Sequence, residues 1–105
     1  MNGEPLRHKV VITNPQGFHM RPLTAFVELA RKFQSDVFVC KDSQRSDGKS
    51  PLELMTLGAE QGSELTIEVS GSDAPAALDA LVKLMSVLAR ETPSEPLQTP
   101  IDNSP

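Results

Sequence analysis

Hydrophobic residues along the chain follow two periods, and the switches between them predict the secondary structure. Apolar, β-branched or alternating stretches predict strands over 9–13, 36–41 and 64–70, and a turn with a short strand over 42–48. Apolar residues that recur every three or four positions predict helices over 20–33, 50–58 and 72–90. For the second helix, Ser50 suits the N-cap, Pro51 the first turn and Gly58 the C-terminal stop. Ser72 or Asp73 opens the third helix.

The predicted order of elements, β-α-β-β-α-β-α, defines an α+β fold. Strands that alternate apolar and polar residues need cover on one face only. We therefore expect a four-stranded antiparallel sheet with the three helices on one face. Element order alone does not fix which strands are neighbours, and a ferredoxin-like arrangement stays open at this point.

One domain is predicted over 1–90, followed by a tail over 91–105. The tail contains four prolines among polar residues and has no apolar periodicity. Such a segment buries too little surface to offset the entropy of ordering it, so we expect a flexible, Pro-rich tail.

Composition and charge narrow the classes of function. The net charge of −4 argues against nucleic acid as the main partner. Residues 1–50 carry eight lysines and arginines against five acids (+3), which suits acidic proteins or phosphate, although ordinary scatter of surface charge gives the same asymmetry. No stretch resembles a membrane span or a signal peptide, so we expect a cytoplasmic location without membrane insertion. Cys40 has no partner for an internal disulfide, and no Cys/His cluster has zinc-finger spacing.

The candidate reactive residues lie in the segment that connects the first predicted strand to the first predicted helix. A glycine-containing turn delivers His19 immediately before the helix, whose free amides point outward beside partial positive charge. Pro22 has no amide proton, so the expected phosphate donors are the amides of Met20, Arg21 and Leu23. The Arg21 guanidinium can add two parallel hydrogen bonds to a phosphate.

These features suit a histidine that is both nucleophile and phosphate carrier. Nearby positive charge favours the neutral, nucleophilic imidazole and then stabilises the anionic adduct, so neither metal nor cofactor is needed. The simpler interpretation is that His19 is a surface residue or a helix cap. His8, in a polar stretch without a helix start beside it, is expected to be solvated.

Three runs of residues resemble one known family. In chain order they are Gly17-Phe18-His19-Met20-Arg21-Pro22, Gly48-Lys49-Ser50 continuing to Gly58, and Leu81-Val82-Lys83-Leu84-Met85. The first is similar to the Gly-x-His-x-Arg-Pro signature of HPr, the histidine-containing phosphocarrier of the bacterial phosphoenolpyruvate-dependent sugar phosphotransferase system. The resemblance implies an open-faced β-sandwich and a monomeric carrier protein rather than an enzyme.

The resemblance also implies roles for particular residues. His19 would accept phosphate through Nδ1 from the general phosphotransferase enzyme and donate it to sugar-specific IIA-type components, and Arg21 would stabilise the phosphoryl group. Ser50 would correspond to the serine that HPr kinase/phosphorylase modifies, besides capping its helix. Apolar residues near His19 would form a docking surface, unless they belong to the core; the candidates are Met20, Leu23, Leu52 and Met55.

Three positions depart from the usual family pattern, and they bear on the choice of partners. Met20 replaces a small residue, Pro51 follows Ser50 in place of an aliphatic or aromatic residue, and Glu28 stands where lysine is frequent. Three other functions stay open: a regulatory carrier for nitrogen metabolism or transcriptional control, a non-catalytic anion-binding module, and an adaptor with a vestigial histidine.

Overall fold

The computed structural model describes residues 4–90, and the predicted order of elements is confirmed. The predicted tail over 91–105 lies outside the described residues. The bounds are β1 Leu6–Val11, α1 Met20–Ala30, β2 Asp36–Lys41, β3 Gln44–Asp47, α2 Pro51–Met55, β4 Glu64–Ser70 and α3 Ala74–Arg90.

The four strands form one antiparallel sheet in the order β1-β4-β2-β3, which fixes the strand neighbours that the sequence left open. β4 is central, and its alternate residues Leu65, Ile67 and Val69 are buried beneath the helices. Helix α1 contributes Phe26 and Ala30 to the same core. The predicted α+β fold, with three helices on one face of the sheet, is confirmed.

Several predicted boundaries are shifted. β1 begins at Leu6 and ends at Val11 instead of spanning 9–13, because its pairing with β4 runs from Leu6 opposite Val69 to Val11 opposite Glu64. α1 ends at Ala30 rather than at 33, and α2 ends at Met55 rather than at 58.

The start of α3 also fastens the connection between α1 and β2. The Asp73 carbonyl accepts the first bond of the helix from Ala77, whereas the Asp73 carboxylate accepts from the amides of Gln34 and Ser35 and from the Ser35 hydroxyl. The Ser35 hydroxyl and these two amides lower the pKa of the Asp73 carboxyl. The carboxylate thus links the α1–β2 connection to α3.

The face of the sheet opposite the helices carries a charged network. Glu68 of β4 accepts hydrogen bonds from Arg7 of β1 at 2.8 Å and from Arg45 of β3 at 3.1 Å. Burial alone would raise the pKa of the Glu68 carboxyl, but the two guanidinium groups outweigh it and lower that pKa. The Arg45 guanidinium also lies over the Phe38 ring, 3.6 Å from its centroid.

Candidate functional site at the start of α1

The loop that leads to α1 is held against the loop that follows α2. The amide of Ile12 donates to the Ser63 carbonyl at 2.9 Å, and the Gly62 amide donates to the Ile12 carbonyl at 2.7 Å. The Phe18 amide donates to the Ala59 carbonyl at 3.0 Å. Two segments that are distant in sequence therefore fix the backbone immediately before His19.

Gly17 is required at this crossing for two reasons. Its φ of +74° lies in the left-handed region, which side chains with a Cβ rarely adopt. A Cβ at this position would also lie 2.6 Å from the Ala59 carbonyl oxygen, closer than van der Waals contact allows. The glycine of the motif thus allows close approach of two backbones as well as the turn.

Phe18 anchors the loop to the core. Its side chain is buried and packs edge-on against Phe26 of α1, with ring centroids 6.0 Å apart and an interplanar angle of 90°. Because Phe18 directly precedes His19, this packing fixes the direction in which the chain enters the helix. The anchoring role of Phe18 and the supporting role of Ala59 were not predicted from the sequence, although an aromatic residue inside the motif is a signal for the first of them.

His19 occupies the N-cap position of α1. Its backbone is extended, with φ −87° and ψ −171°, and its imidazole makes no capping hydrogen bond. The side chain is half-buried. The ring thus remains available at the helix start, where an ordinary N-cap side chain would bond to the first-turn amides.

The structure corrects the predicted set of amide donors. The Leu23 amide donates to the His19 carbonyl at 3.0 Å, the first hydrogen bond of the helix, so it is not available to a phosphate. The predicted role of the Leu23 amide is therefore wrong. Met20 and Arg21 precede that first bond and have no intrahelical acceptor, which leaves their two amides as the candidate donors.

Arg21 completes the positive end of the helix. Its side chain is exposed, and it forms no ion pair with any carboxylate among residues 4–90. The guanidinium is therefore not neutralised by a neighbour there. An anion on His19 would meet partial positive charge from the amides and full charge from Arg21.

The predicted docking residues divide into exposed and buried. Met20 is 54%, Leu52 72% and Met55 51% exposed, on two helices, α1 and α2, that contact each other. We call these three side chains the docking surface. Leu23 is only 1% exposed and packs in the core, so its predicted place on this surface is wrong. It lies on the same stripe of α1 as Phe26 and Val27, the face that packs against the interior.

Ser50 caps α2 as the sequence predicts. Its Oγ accepts from the Glu53 amide at 3.3 Å, and the Glu53 carboxylate accepts from the Asp47 amide at 2.8 Å. The preceding loop is tied to α1, because Arg31 donates to the Lys49 carbonyl at 3.0 Å. The Ser50 side chain is half-buried.

The second histidine lies apart from the site. His8 is exposed on the edge strand β1, opposite Ile67 of β4. Within residues 4–90, no group of three His, Cys, Asp or Glu side chains is arranged to hold a metal ion. In the same part of the chain, no helix is both long and apolar enough to cross a membrane.

A half-buried histidine at a helix start without a side-chain cap, above a four-stranded open sheet, is the arrangement expected of a small α+β phosphocarrier. A family model described as "PTS HPr component phosphorylation site" matches residues 6–86. The chain is 35% identical over 82 residues to the phosphocarrier protein HPr of Buchnera aphidicola, covering 78% of this chain and 96% of that protein. It is 37% identical over 76 residues to the HPr-like protein Crh of Bacillus subtilis, covering 72% of this chain and 89% of that protein.

A solved structure gives the same result. HPr-C-His from Thermoanaerobacter tengcongensis matches with a TM-score of 0.78 and 35% sequence identity, over 82% of this chain and 97% of that chain. The chain belongs to the HPr family of phosphocarrier proteins of the phosphotransferase system.

Proposed function

We propose that the chain accepts a phosphoryl group on His19 from the phosphoenolpyruvate-charged general phosphotransferase enzyme and passes it to sugar-specific IIA-type components. The observation that carries this proposal is the uncapped start of α1, where the His19 imidazole makes no capping bond. A carrier site must be reachable by two different proteins in turn, and the half-exposed ring meets that requirement.

The transfer needs only residues of this site. The lone pair of Nδ1 on the neutral imidazole attacks phosphorus, and the bond between phosphorus and its atom on the donor enzyme breaks. The amides of Met20 and Arg21 and the Arg21 guanidinium bind the phosphoryl oxygens and stabilise their charge as it arrives. In the onward step, the acceptor attacks phosphorus, the N–P bond breaks, and its electron pair returns to Nδ1. The chain is thus a phosphoryl carrier rather than an enzyme.

The test is incubation of the protein with phosphoenolpyruvate and purified general phosphotransferase enzyme. We expect one phosphate per chain, labile in acid and stable in base, as a phosphohistidine requires. His19→Ala should lose it, and the matched control His8→Ala should keep it. Labelling that persists in His19→Ala would place the chemistry at another residue.

Arg21 is proposed to stabilise the transferred group. Hydrogen bonds to charged groups contribute about 1.5–3 kcal/mol, so Arg21→Ala should slow phosphate acceptance by about 10- to 100-fold. Lys32→Ala is the control, since it also removes an exposed cation, but one that lies beyond the opposite end of α1. Equal rates in the two variants would exclude a specific role for Arg21.

Ser50 is proposed as a second phosphorylation site, for HPr kinase/phosphorylase with ATP. A phosphate at the start of α2 is electrostatically tolerated, so its effect would come from charge beside the docking surface rather than from unfolding. We expect an acid-stable phosphate that Ser50→Ala lacks. If the cognate kinase adds none to the native chain, Ser50 acts only as a cap.

The partners would dock on Met20, Leu52 and Met55 in the cytoplasm, with the carrier as a monomer. The second candidate function is a regulatory phosphocarrier with little sugar transport, which is supported by the 35% identity to the solved structure of Crh, described as the catabolite repression HPr of Bacillus subtilis (TM-score 0.57). Transfer to sugar-specific IIA-type components distinguishes the two, because a regulatory carrier would also be charged on His19 but would serve other partners. A chain that is never charged would instead be an anion-binding or adaptor module.

A further inference from the structure

The C-terminal part of α3 lies beside the loop that carries His19. Met85 and Leu88 line a shallow crevice together with Gly17, Phe18 and Pro22 of that loop. α3 ends at Arg90, two residues beyond Leu88. The chain that follows therefore starts close to the candidate site.

That following chain, 91–105, is long enough to reach the whole surface around His19. Fully extended, its fifteen residues span about 50 Å. A compact domain of the size of residues 4–90 has a radius of gyration of about 12 Å. Reach therefore does not limit where this segment can bind on the face that presents α1 and α2.

The chemistry of the segment complements the docking surface. It contains three acids, Glu91, Glu95 and Asp102, and no lysine or arginine. It also contains two aliphatic side chains, Leu97 and Ile101. The surface offers the unneutralised Arg21 side chain, two free amides and three exposed apolar side chains.

We propose that segment 91–105 docks on the surface formed by Arg21, Met20, Leu52 and Met55 while His19 is unphosphorylated. Its acids lie against Arg21 and the start of α1, and its aliphatic residues lie against the apolar side chains. A phosphate on His19 places negative charge at the same point and expels the segment. Docking itself does not depend on the proposed function, whereas its consequence for phosphate transfer rests on it.

Weak contacts suffice because the segment is tethered. A short flexible tether gives an effective concentration in the millimolar range, so a segment with an intrinsic Kd of about 1 mM would cover the surface about half of the time. Half coverage raises the apparent KM for the phosphorylated donor enzyme about twofold and leaves kcat unchanged.

The first test uses the full chain labelled with 15N. Relative to the native protein, the triple variant Glu91→Gln, Glu95→Gln, Asp102→Asn should shift the amide resonances of Met20, Arg21, Leu52 and Met55. The control variant Asp36→Asn, Asp42→Asn, Asp79→Asn changes the net charge by the same amount and should leave these four resonances in place. Unchanged resonances in the first variant would overturn the proposal. Shifts that depend on protein concentration would also overturn it, in favour of a second copy of the chain on this surface.

The second test measures transfer. The KM for the phosphorylated general enzyme should fall about twofold in the Glu91/Glu95/Asp102 variant, with kcat unchanged and onward transfer from charged His19 unaffected. An unchanged KM would overturn the inhibitory role. Because the resonance shifts require no phosphate, a protein that is never charged would refute the proposed function while leaving docking to be decided by the first test.

Discussion

The starts of α1 and α2 use the same helical geometry in opposite ways. At α2, the Ser50 side chain occupies the Glu53 amide, and the Glu53 carboxylate reaches back to the Asp47 amide. At α1, His19 holds the N-cap position without a capping bond, which leaves the amides of Met20 and Arg21 without an intrahelical acceptor. The start of α2 is capped by its own side chain, whereas the start of α1 keeps two amides without a partner in the helix.

The difference shows how a helix start can serve as structure or as a binding site. An N-cap side chain contributes about 1 kcal/mol, and α1 forgoes that contribution. A site for a transient phosphate cannot be closed by its own side chain, because the phosphate would then have to displace a bond that already exists. Local stability and access to the amides exclude each other at this position.

The largest expected effect comes from making α1 resemble α2. In His19→Asn, the amide side chain can cap the helix and no nucleophilic imidazole remains. We expect complete loss of phosphate acceptance together with a gain in unfolding free energy of about 1 kcal/mol. Urea unfolding and labelling from phosphoenolpyruvate measure the two effects. A variant that loses both stability and labelling would show that the imidazole has a structural role.

The next largest effect concerns Gly17, the glycine that positions the loop before the uncapped start of α1. Gly17→Ala and Gly58→Ala both place a Cβ on left-handed backbone, which costs about 1–2 kcal/mol. Only Gly17→Ala also forces that Cβ against the Ala59 carbonyl, whereas the space around Gly58 is open. Overpacking adds about 1–3 kcal/mol, so Gly17→Ala should be the less stable variant in urea and should accept phosphate more slowly. Equal stability of the two would mean that the two loops separate without cost.

Removing the N-cap of α2 should have a smaller effect on stability. Ser50→Ala removes the cap of α2, which should lower the unfolding free energy by about 1 kcal/mol. Phosphate acceptance on His19 should stay at the native rate, because the start of α1 is not involved. Ser50→Thr is the control, since it keeps the hydroxyl. A fall in the rate of His19 labelling for Ser50→Ala alone would show that the two helix starts are coupled.

The smallest expected effect concerns the start of α3, where the Asp73 carboxylate holds the connection between α1 and β2. Its pKa is lowered in the folded protein, so the unfolded state binds more protons near the ordinary value of about 4. The stability that Asp73 contributes is present above that pH and is lost as the pH falls through the lowered pKa. Asp73→Asn should therefore unfold with a flatter dependence on acid pH than the native chain. Parallel pH curves would contradict this assignment.

The regular parts of the fold were predictable from local pattern. The bounds of β2 and β4 are those that the alternation of apolar residues predicts, Asp36–Lys41 and Glu64–Ser70. The start of α1 at Met20 and the cap at Ser50 are also as predicted, because both depend on residues within one turn. The start of β1 was not, since Leu6 joins the strand through its pairing with Val69.

The candidate site was predictable in part. The sequence indicates His19 and Arg21. Leu23 was assigned to the docking surface because it is close to His19 in sequence, although its position on the helical stripe places it in the core. The Leu23 amide was wrongly counted as free, because the sequence did not show that His19 is the N-cap residue whose carbonyl accepts the first hydrogen bond of the helix. The support from Ala59 comes from a backbone contact between remote segments, and no local pattern encodes it.

That contact ties the site to completion of the fold. Phe18 receives its backbone partner from Ala59, and Ile12 is held by Gly62 and Ser63, which directly precede the central strand. During translation, a chain emerging from the ribosome therefore has no finished site until that strand has been synthesised and paired. A peptide that contains only the motif would lack this support. Phosphate acceptance on His19 would therefore report whether a newly made chain has completed its fold.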